Sequence, residues 1–416
     1  MKLNYKKTFM LGFGFFAISL TWSLYNSFIP IFLRRFVDSN FLIGFIMTLD
    51  NYAGLFLQPI FGTLSDITRT KLGKRMPYLI FGMPIAAVLI CIIPRHWSLV
   101  SLIVSIVSLN LVMASFRSPT IALMPDITPD KLRSKANGII NLMGGLGAII
   151  AYFVGSYLYE VNEAYPFYMA SALIVISIII LFINIKEKRD SLNYNEIPTK
   201  ASKYEHKVED EYDRLQSTRS IICLLVAIFF WFIAFNAMES FFTLYGKEYL
   251  NISESVAART FTYFSLSMVA FAIPAGLIAT KIGKKKTIVI GLLIMILTFG
   301  GLLFSTSISM IAILFLFGGM CWALININSY PLVISMTSNA NVGRFTGYYY
   351  LFSSLAAIIS PPLVGKLIDV LGYGILFKYS LVGFILALIA IFMVKEPVIH
   401  NANKTNAIEI LGNMGI

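Results

Sequence analysis

Residues 62–77 read GTLSDITRTKLGKRMP and residues 276–286 read GLIATKIGKKK. In each, an apolar run ends near a glycine, a short basic turn carries a second glycine, and a new apolar run begins. The pairing extends outward. Thr21 to Phe28 (TWSLYNSF) lines up with Ala234 to Phe241 (AFNAMESF), and Arg133 with Arg344, all at nearly one spacing. Matches in register at three places mark a structural unit used twice. Following the chain away from these anchors gives apolar stretches at 8–33, 41–64, 78–94, 97–123, 136–158 and 165–185, then 220–245, 258–280, 287–305, 308–334, 342–365 and 375–394. Each is near the roughly 20 residues that cross ~30 Å of hydrocarbon. The expected fold class is an all-α membrane protein with twelve transmembrane helices in two pseudo-symmetric six-helix bundles. The bundles occupy 1–185 and 220–394, joined by a connector at 186–219 and followed by a tail at 395–416.

Composition agrees with this class. Of the 416 residues, 57% are hydrophobic and 13% charged, whereas about a quarter of a soluble domain's residues are charged. Cys91, Cys223 and Cys321 all fall inside apolar runs, so neither a disulfide framework nor a CxxC metal or redox motif is expected. His96, His206 and His400 lack metal-ligand spacing, and no Walker A sequence occurs. No cofactor, metal or catalytic residue is therefore expected. The first apolar run is too long for a signal-peptide core and lacks a small-residue cleavage site, so it is expected to remain in the protein.

A net charge of +12 raises a nucleic-acid reading, which the charge distribution rejects. Most Lys and Arg fall in the N-terminus, the even-numbered loops and the tail. The opposite side holds Arg34, Arg35, Arg95, Lys247, Arg259, Lys366 and Lys378, with Arg117 inside a span. That asymmetry predicts a cytoplasmic-membrane protein with both termini in the cytoplasm. Residues 186–219 balance basic against acidic residues and read as a flexible, solvated connector.

Only two acids fall within the spans, Asp50 and Glu239. A charge at mid-bilayer costs at least ~2.5–3.5 kcal/mol on insertion scales, so such groups face a cavity or a partner. Asp50 lies about nine residues into its span, roughly 13 Å at the helical rise; Glu239 lies roughly 9 Å from its span's end. Both are candidates for proton coupling, with a structural pair as the competing reading. Arg117 can line the same cavity, snorkel, or pair with Asp126. Polar and aromatic residues recur on helical faces nearby: Trp22 and Asn26, Asn51 and Gln58, Asn110 with Arg117, Asn236 with Glu239, and Trp322, Asn326 and Tyr330. Sugars suit this mixture, because their apolar ring faces stack on aromatics while amides and carboxylates take the hydroxyls. Singly, each also fits helix–helix bonding or an interface anchor.

The 62–77 segment resembles the signature of the major facilitator superfamily between its second and third helices, and the resemblance covers essentially the whole chain. Gln58-Pro59-Ile60-Phe61-Gly62 leading into Ser65-Asp66, with Gly73-Lys74-Arg75-Met76-Pro77, is similar to sucrose/proton symporters and their glycoside–cation symporter relatives. Arg117-Ser118-Pro119, Ala122-Leu123-Met124-Pro125-Asp126 and Arg133 with Asn137-Gly138 add to it. The resemblance implies the major facilitator fold and a cytoplasmic gate formed by Gly62, Asp66, Arg69, Gly73, Arg75, Asp126 and Arg133. The competing reading of Arg69 and Arg75 is that of topology determinants. Two departures matter. Sodium-using melibiose-type relatives carry two acids four apart on helix 2, where this chain has Gly54 and Gln58. The glycine-rich fifth span (Gly138, Gly144, Gly145, Gly147, Gly155) lacks the Gly-Pro pair of drug antiporters; its glycines also suit close helix packing.

The expected function is secondary active transport, proton-coupled symport of a small sugar or glycoside by alternating access, with membrane lipid around a monomer. A proton-coupled exporter of amphiphilic molecules shares the fold and is the alternative; a membrane enzyme would need a nucleophile, metal cluster or phosphate site. Asp50→Asn is expected to abolish gradient-driven accumulation while sparing some exchange. Unchanged pH-driven uptake in that variant removes Asp50 from the coupling role.

Overall fold

The computed structural model describes residues 3–129, 132–187, 211–337 and 342–395. Most of the expected connector and nearly all of the expected tail lie outside the described residues. The chain forms α1 Tyr5–Arg34, α2 Asn40–Met47, α3 Leu49–Ile67, α4 Met76–Ile92, α5 Leu99–Ile127, α6 Arg133–Val161 and α7 Tyr165–Asn184. It continues with α8 Glu211–Glu248, α9 Glu254–Ile282, α10 Lys284–Leu303, α11 Ile308–Ser335, α12 Val342–Leu371 and α13 Leu376–Phe392. With α2 and α3 as halves of one span, 12 helices are long and apolar enough to cross a membrane. The protein is an integral membrane protein built from two six-span bundles, which meet mainly through α1 and α8, α6 and α9, and α2 and α12. The face where α1 begins and α13 ends is here the terminal face; the opposite one is the distal face.

The internal repeat survives in backbone geometry. Gly73 and Gly283 both adopt positive φ, +114° and +95°, at equivalent turns. A side chain there would be strained, which explains a glycine in each copy of the motif.

Three sequence expectations are corrected. The second span is not continuous: the Thr48 hydroxyl donates to the Phe45 carbonyl at 2.7 Å, and the Thr48 amide bonds the same carbonyl three residues back. This tightened turn separates α2 from α3 and leaves Asp50 in the first turn of α3. The connector is also shorter than 186–219, because α8 already begins at Glu211. Finally, Glu187 is not solvated but 2% exposed.

Glu187 belongs to a charge lock on the terminal face. Its carboxylate accepts from the backbone amides of Lys74, Arg75 and Met76 at 2.8–2.9 Å, capping α4 where the helix has donors and no acceptors. Gly73 packs directly against that carboxylate, leaving no room for a Cβ. The capped turn presents Arg75, itself 5% exposed, to α3 and α5. Its Nε donates to Asp126 at 3.0 Å, one terminal nitrogen to the Gly62 carbonyl at 3.2 Å and to Ser65, and the other to Asp66. Lys74 adds a 3.2 Å pair with Asp126. Arg69 differs: it donates to the backbone carbonyls of Asp66 and Thr68 at 2.7 and 3.1 Å, holding its own helix end. Arg133 likewise donates to the Pro125 and Thr128 carbonyls.

At the distal face the bundles close on each other. Asp369 of α12 caps α2 from across the interface, accepting from the Asn40 and Phe41 amides at 2.7 and 3.0 Å, from the Asn40 side chain and from Ser39. Tyr373 donates to Asn40 at 2.7 Å, and Glu160 of α6 accepts from Ser255 and pairs with Arg259 of α9. Gly44 lies against the Pro361 carbonyl and Gly365 against that of Asn40, an approach only a missing Cβ permits.

Arg75→Ala is expected to cost about 3 kcal/mol of unfolding stability, because it removes the guanidinium fork and leaves Asp126 with Lys74 alone. Arg75→Lys should recover only part of this, whereas an unchanged Tm for Arg75→Ala would refute the lock. Gly44→Trp is expected to hold the distal face apart. The check is the alkylation rate of Phe41→Cys in a cysteine-free background, which should rise several-fold; an unchanged rate counts against the closure.

Candidate functional site

Two helices that are pseudo-equivalents carry the centre of the site. Asn26 of α1 and Glu239 of α8 occupy matching positions in the aligned TWSLYNSF and AFNAMESF segments, and their side chains approach each other. Equivalent residues of a twofold pair touch only near the axis, so this contact places Glu239 at the centre of the bundle interface. Glu239 is half-buried, on the side of α8 that faces α1 and α6. Tyr152 of α6 stands in its field and bonds Ser23 through its hydroxyl.

Asp50 approaches from the other side. The break at Thr48 gives α3 a fresh N-terminus inside the span, and the positive end of a helix dipole favours a carboxylate in its first turn. Asn51 donates to Asp50 at 2.8 Å. Arg117 of α5 and Glu239 both lie within electrostatic reach of Asp50, and Arg117 also faces Tyr350 of α12. Arg117 therefore does not pair with Asp126, the structural alternative raised by its place on α5; Asp126 is taken by Arg75 and Lys74. Two carboxylates and one guanidinium, drawn from both bundles, leave this centre one negative charge when all are ionised.

Around it lie groups with unused bonding capacity. Asn110 donates to the Tyr25 hydroxyl at 3.5 Å, a long contact, and its own carbonyl oxygen is buried without a partner. Trp22 packs edge-on to Tyr25 at 5.4 Å, and its indole N–H is also buried without a partner. Buried polar groups are nearly always bonded, so these two open groups next to Tyr25 stand out.

Other expected lining residues fall elsewhere. Trp322 does not line open space: it is 2% exposed and stacked on Phe235 at 4.2 Å, in the aromatic core of the second bundle. Asn236 turns its amide onto the Phe232 carbonyl at 2.7 Å. Gln58 folds against Gly54 on its own helix. Asn326 is half-buried, and its carbonyl accepts from Ser329. Tyr330 is half-buried and bonded to Thr346 at 3.0 Å beside the rings of Tyr349 and Tyr350. Tyr25, Tyr152 and Tyr350 also stand by these charges, and a tyrosine within an apolar run does not stand out as a charge does. The available signals were the neighbour relation of Tyr25 to Asn26 and the tyrosine run at 348–350. Among the described residues no cluster of three or more His, Cys, Asp or Glu could hold a metal ion.

Comparison with known proteins places this geometry in a family. The isoprimeverose transporter of Lactiplantibacillus pentosus is 24% identical over 316 residues, which cover 70% of this chain and 63% of that protein. The quinolone resistance protein NorA of Staphylococcus aureus is 23% identical over 252 residues, covering 60% of each. The chain thus spans about 60–63% of the length of these curated relatives. Among solved structures, the nucleoside transporter NupG superposes with a TM-score of 0.72 over 94% of this chain and 99% of that one, at 13% identity. A bacterial homolog of the human lysosomal transporter Spinster, in an inward-facing and occupied conformation, gives 0.70 over 95% and 97%, also at 13%. At such identities these two share the fold. The family model described as Major Facilitator Superfamily matches residues 11–258 and again 247–412. The chain belongs to the Major Facilitator Superfamily.

Proposed function

We propose that this protein is a secondary active transporter that couples a proton to the symport of a small sugar or glycoside by alternating access. The observation that carries the reading is that Arg117 and Glu239, from the two bundles, both lie within electrostatic reach of Asp50. Desolvating a net charge costs several kcal/mol per ion. With one guanidinium against two carboxylates, a single proton on Asp50 or Glu239 makes the centre neutral, and the neutral centre is the one that can be occluded. Opening to water then releases the proton. Occlusion around a bound sugar, which displaces water from the charges, is thereby linked to proton loading, while the empty, water-filled centre returns unprotonated.

Closure at the distal face, through the Asp369 cap on α2 and the close approaches at Gly44 and Gly365, supports a state open towards the terminal face. The basic asymmetry of the loops supports the cytoplasm on that side, which makes this the inward-facing state of a cytoplasmic-membrane protein. The sugar class is supported by the Trp22, Tyr25, Asn26 and Asn110 surroundings and by a relative named for isoprimeverose transport. Gly54 and Gln58, where sodium-using relatives carry acids, support the proton over sodium. The Asp66–Arg75–Asp126 lock supports a terminal-face gate, with Glu187 as a further member.

A second reading, proton-coupled export of amphiphilic molecules, is favoured by the similarity to a quinolone resistance protein. Counterflow in proteoliposomes across mono- and disaccharides, with and without an imposed pH step, separates the two. Sugar-specific counterflow that the pH step drives uphill is the expected result. Glu239→Gln should keep counterflow and lose the pH response or shift it strongly. Absence of any sugar counterflow, together with pH-driven movement of a cationic amphiphile, would replace symport by export.

A further inference from the structure

On the flank of the first bundle, at its distal end, the last turns of α4 and the first turn of α7 leave a groove of about 340 Å³. Ala87, Val88, Cys91 and Ile92 line it from α4, and Tyr168 and Ser171 from α7. Val88 and Ile92 are exposed, so the groove opens on the surrounding lipid. Arg95, in the turn that follows α4, lines its outer end. The Arg95 Nε donates to the Tyr168 hydroxyl at 2.9 Å, and the guanidinium lies 5.5 Å from the Tyr168 ring centroid. That contact holds the fork in place, while the terminal nitrogens meet no acceptor among the described residues. Accepting from Arg95 leaves the Tyr168 hydroxyl its own hydrogen to donate. No acidic side chain lines the groove, and Glu163, just before α7, is taken by Arg35 at 2.8 Å. Every loop on this face is among the described residues. Trp97, just beyond Arg95, is 83% exposed, and exposed tryptophans of membrane proteins collect at headgroup depth.

We infer that this groove holds a phospholipid of the distal leaflet, its phosphodiester on Arg95 and Tyr168 and one acyl chain along Val88, Cys91 and Ile92. A guanidinium offers parallel N–H donors that match two phosphate oxygens, and such charge-assisted pairs are about twice as strong as neutral hydrogen bonds. The charge complementarity is one-sided, a cation with no anion lining the groove beside it. A soluble phosphate would leave the apolar wall unused, whereas an acyl chain fills it. Basic residues that set topology gather on the cytoplasmic side, so that role does not account for an arginine at the distal end of a lipid-facing groove. A bound headgroup would tie the end of α4 to the start of α7 on the face where the bundles close.

The test is alkylation of Cys91 by N-ethylmaleimide in the delipidated full chain in detergent, read at that residue by peptide mass spectrometry. Phosphatidylglycerol, diacylglycerol with the same chains, or sn-glycerol 3-phosphate is added. The expected result is a several-fold slowing by phosphatidylglycerol, with little effect of diacylglycerol or glycerol phosphate. Arg95→Gln should lose the protection, and Arg95→Lys, which keeps the charge without the fork, should retain part of it. An unchanged rate with phosphatidylglycerol, equal protection by diacylglycerol, or undiminished protection in the Gln variant each overturns the proposal. Protection by glycerol phosphate alone does so too, by pointing to a soluble anion. A Cys91 that stays unlabelled after delipidation also counts against it, because the groove would then be closed. The comparison of lipids needs only the parent protein, so a variant that fails to fold does not shield the idea.

Discussion

A carboxylate in hydrocarbon must find either water or an opposite charge, and the architecture at the centre of this protein follows from that constraint. Asp50 and Glu239 cannot face lipid, so they turn to the seam between the bundles, where Arg117 offsets one of them. Polar neighbours gather at the seam for the same reason. Asn26, Asn51, Tyr25 and Tyr152 supply bonds that lipid would deny, and the break at Thr48 adds a helix N-terminus beside Asp50. Within each bundle the packing is dry and aromatic, as the stacked Phe235 and Trp322 illustrate.

The two faces are held by different means. At the distal face, closure joins bundle to bundle: Asp369 satisfies the amides that begin α2, and Gly44 and Gly365 let backbones touch. At the terminal face, the Arg75 lock lies within the first bundle, joining α3, α4, α5 and the segment after α7. It braces that bundle as one body.

Several features could be read from residues alone. The twelve spans, the duplication and the two membrane carboxylates follow from apolar run length, register and charge rarity. Arg75 with Asp66 and Asp126 rests on the Gly-rich basic turn, whose geometry recurs at Gly283. Other features were hidden. Trp322 shares a helical stripe with Asn326 and Tyr330, yet helix rotation buries it, and one-dimensional spacing does not report rotation. Glu187 looked like one more charge in a polar connector, because a helix cap supplied from elsewhere in the chain has no local signature.

Sequence by itself determined the class, the membrane spans, the two-fold duplication and the identity of the charges that had to be accommodated. Those depend on composition and periodicity, which are local. Tertiary structure alone decided that Arg117 serves Asp50 rather than Asp126, that Asn26 meets its pseudo-equivalent Glu239, and that the distal face is the closed one. Each of these is a contact between helices distant in the chain, set by how the bundles pack, and packing depends on all the helices together.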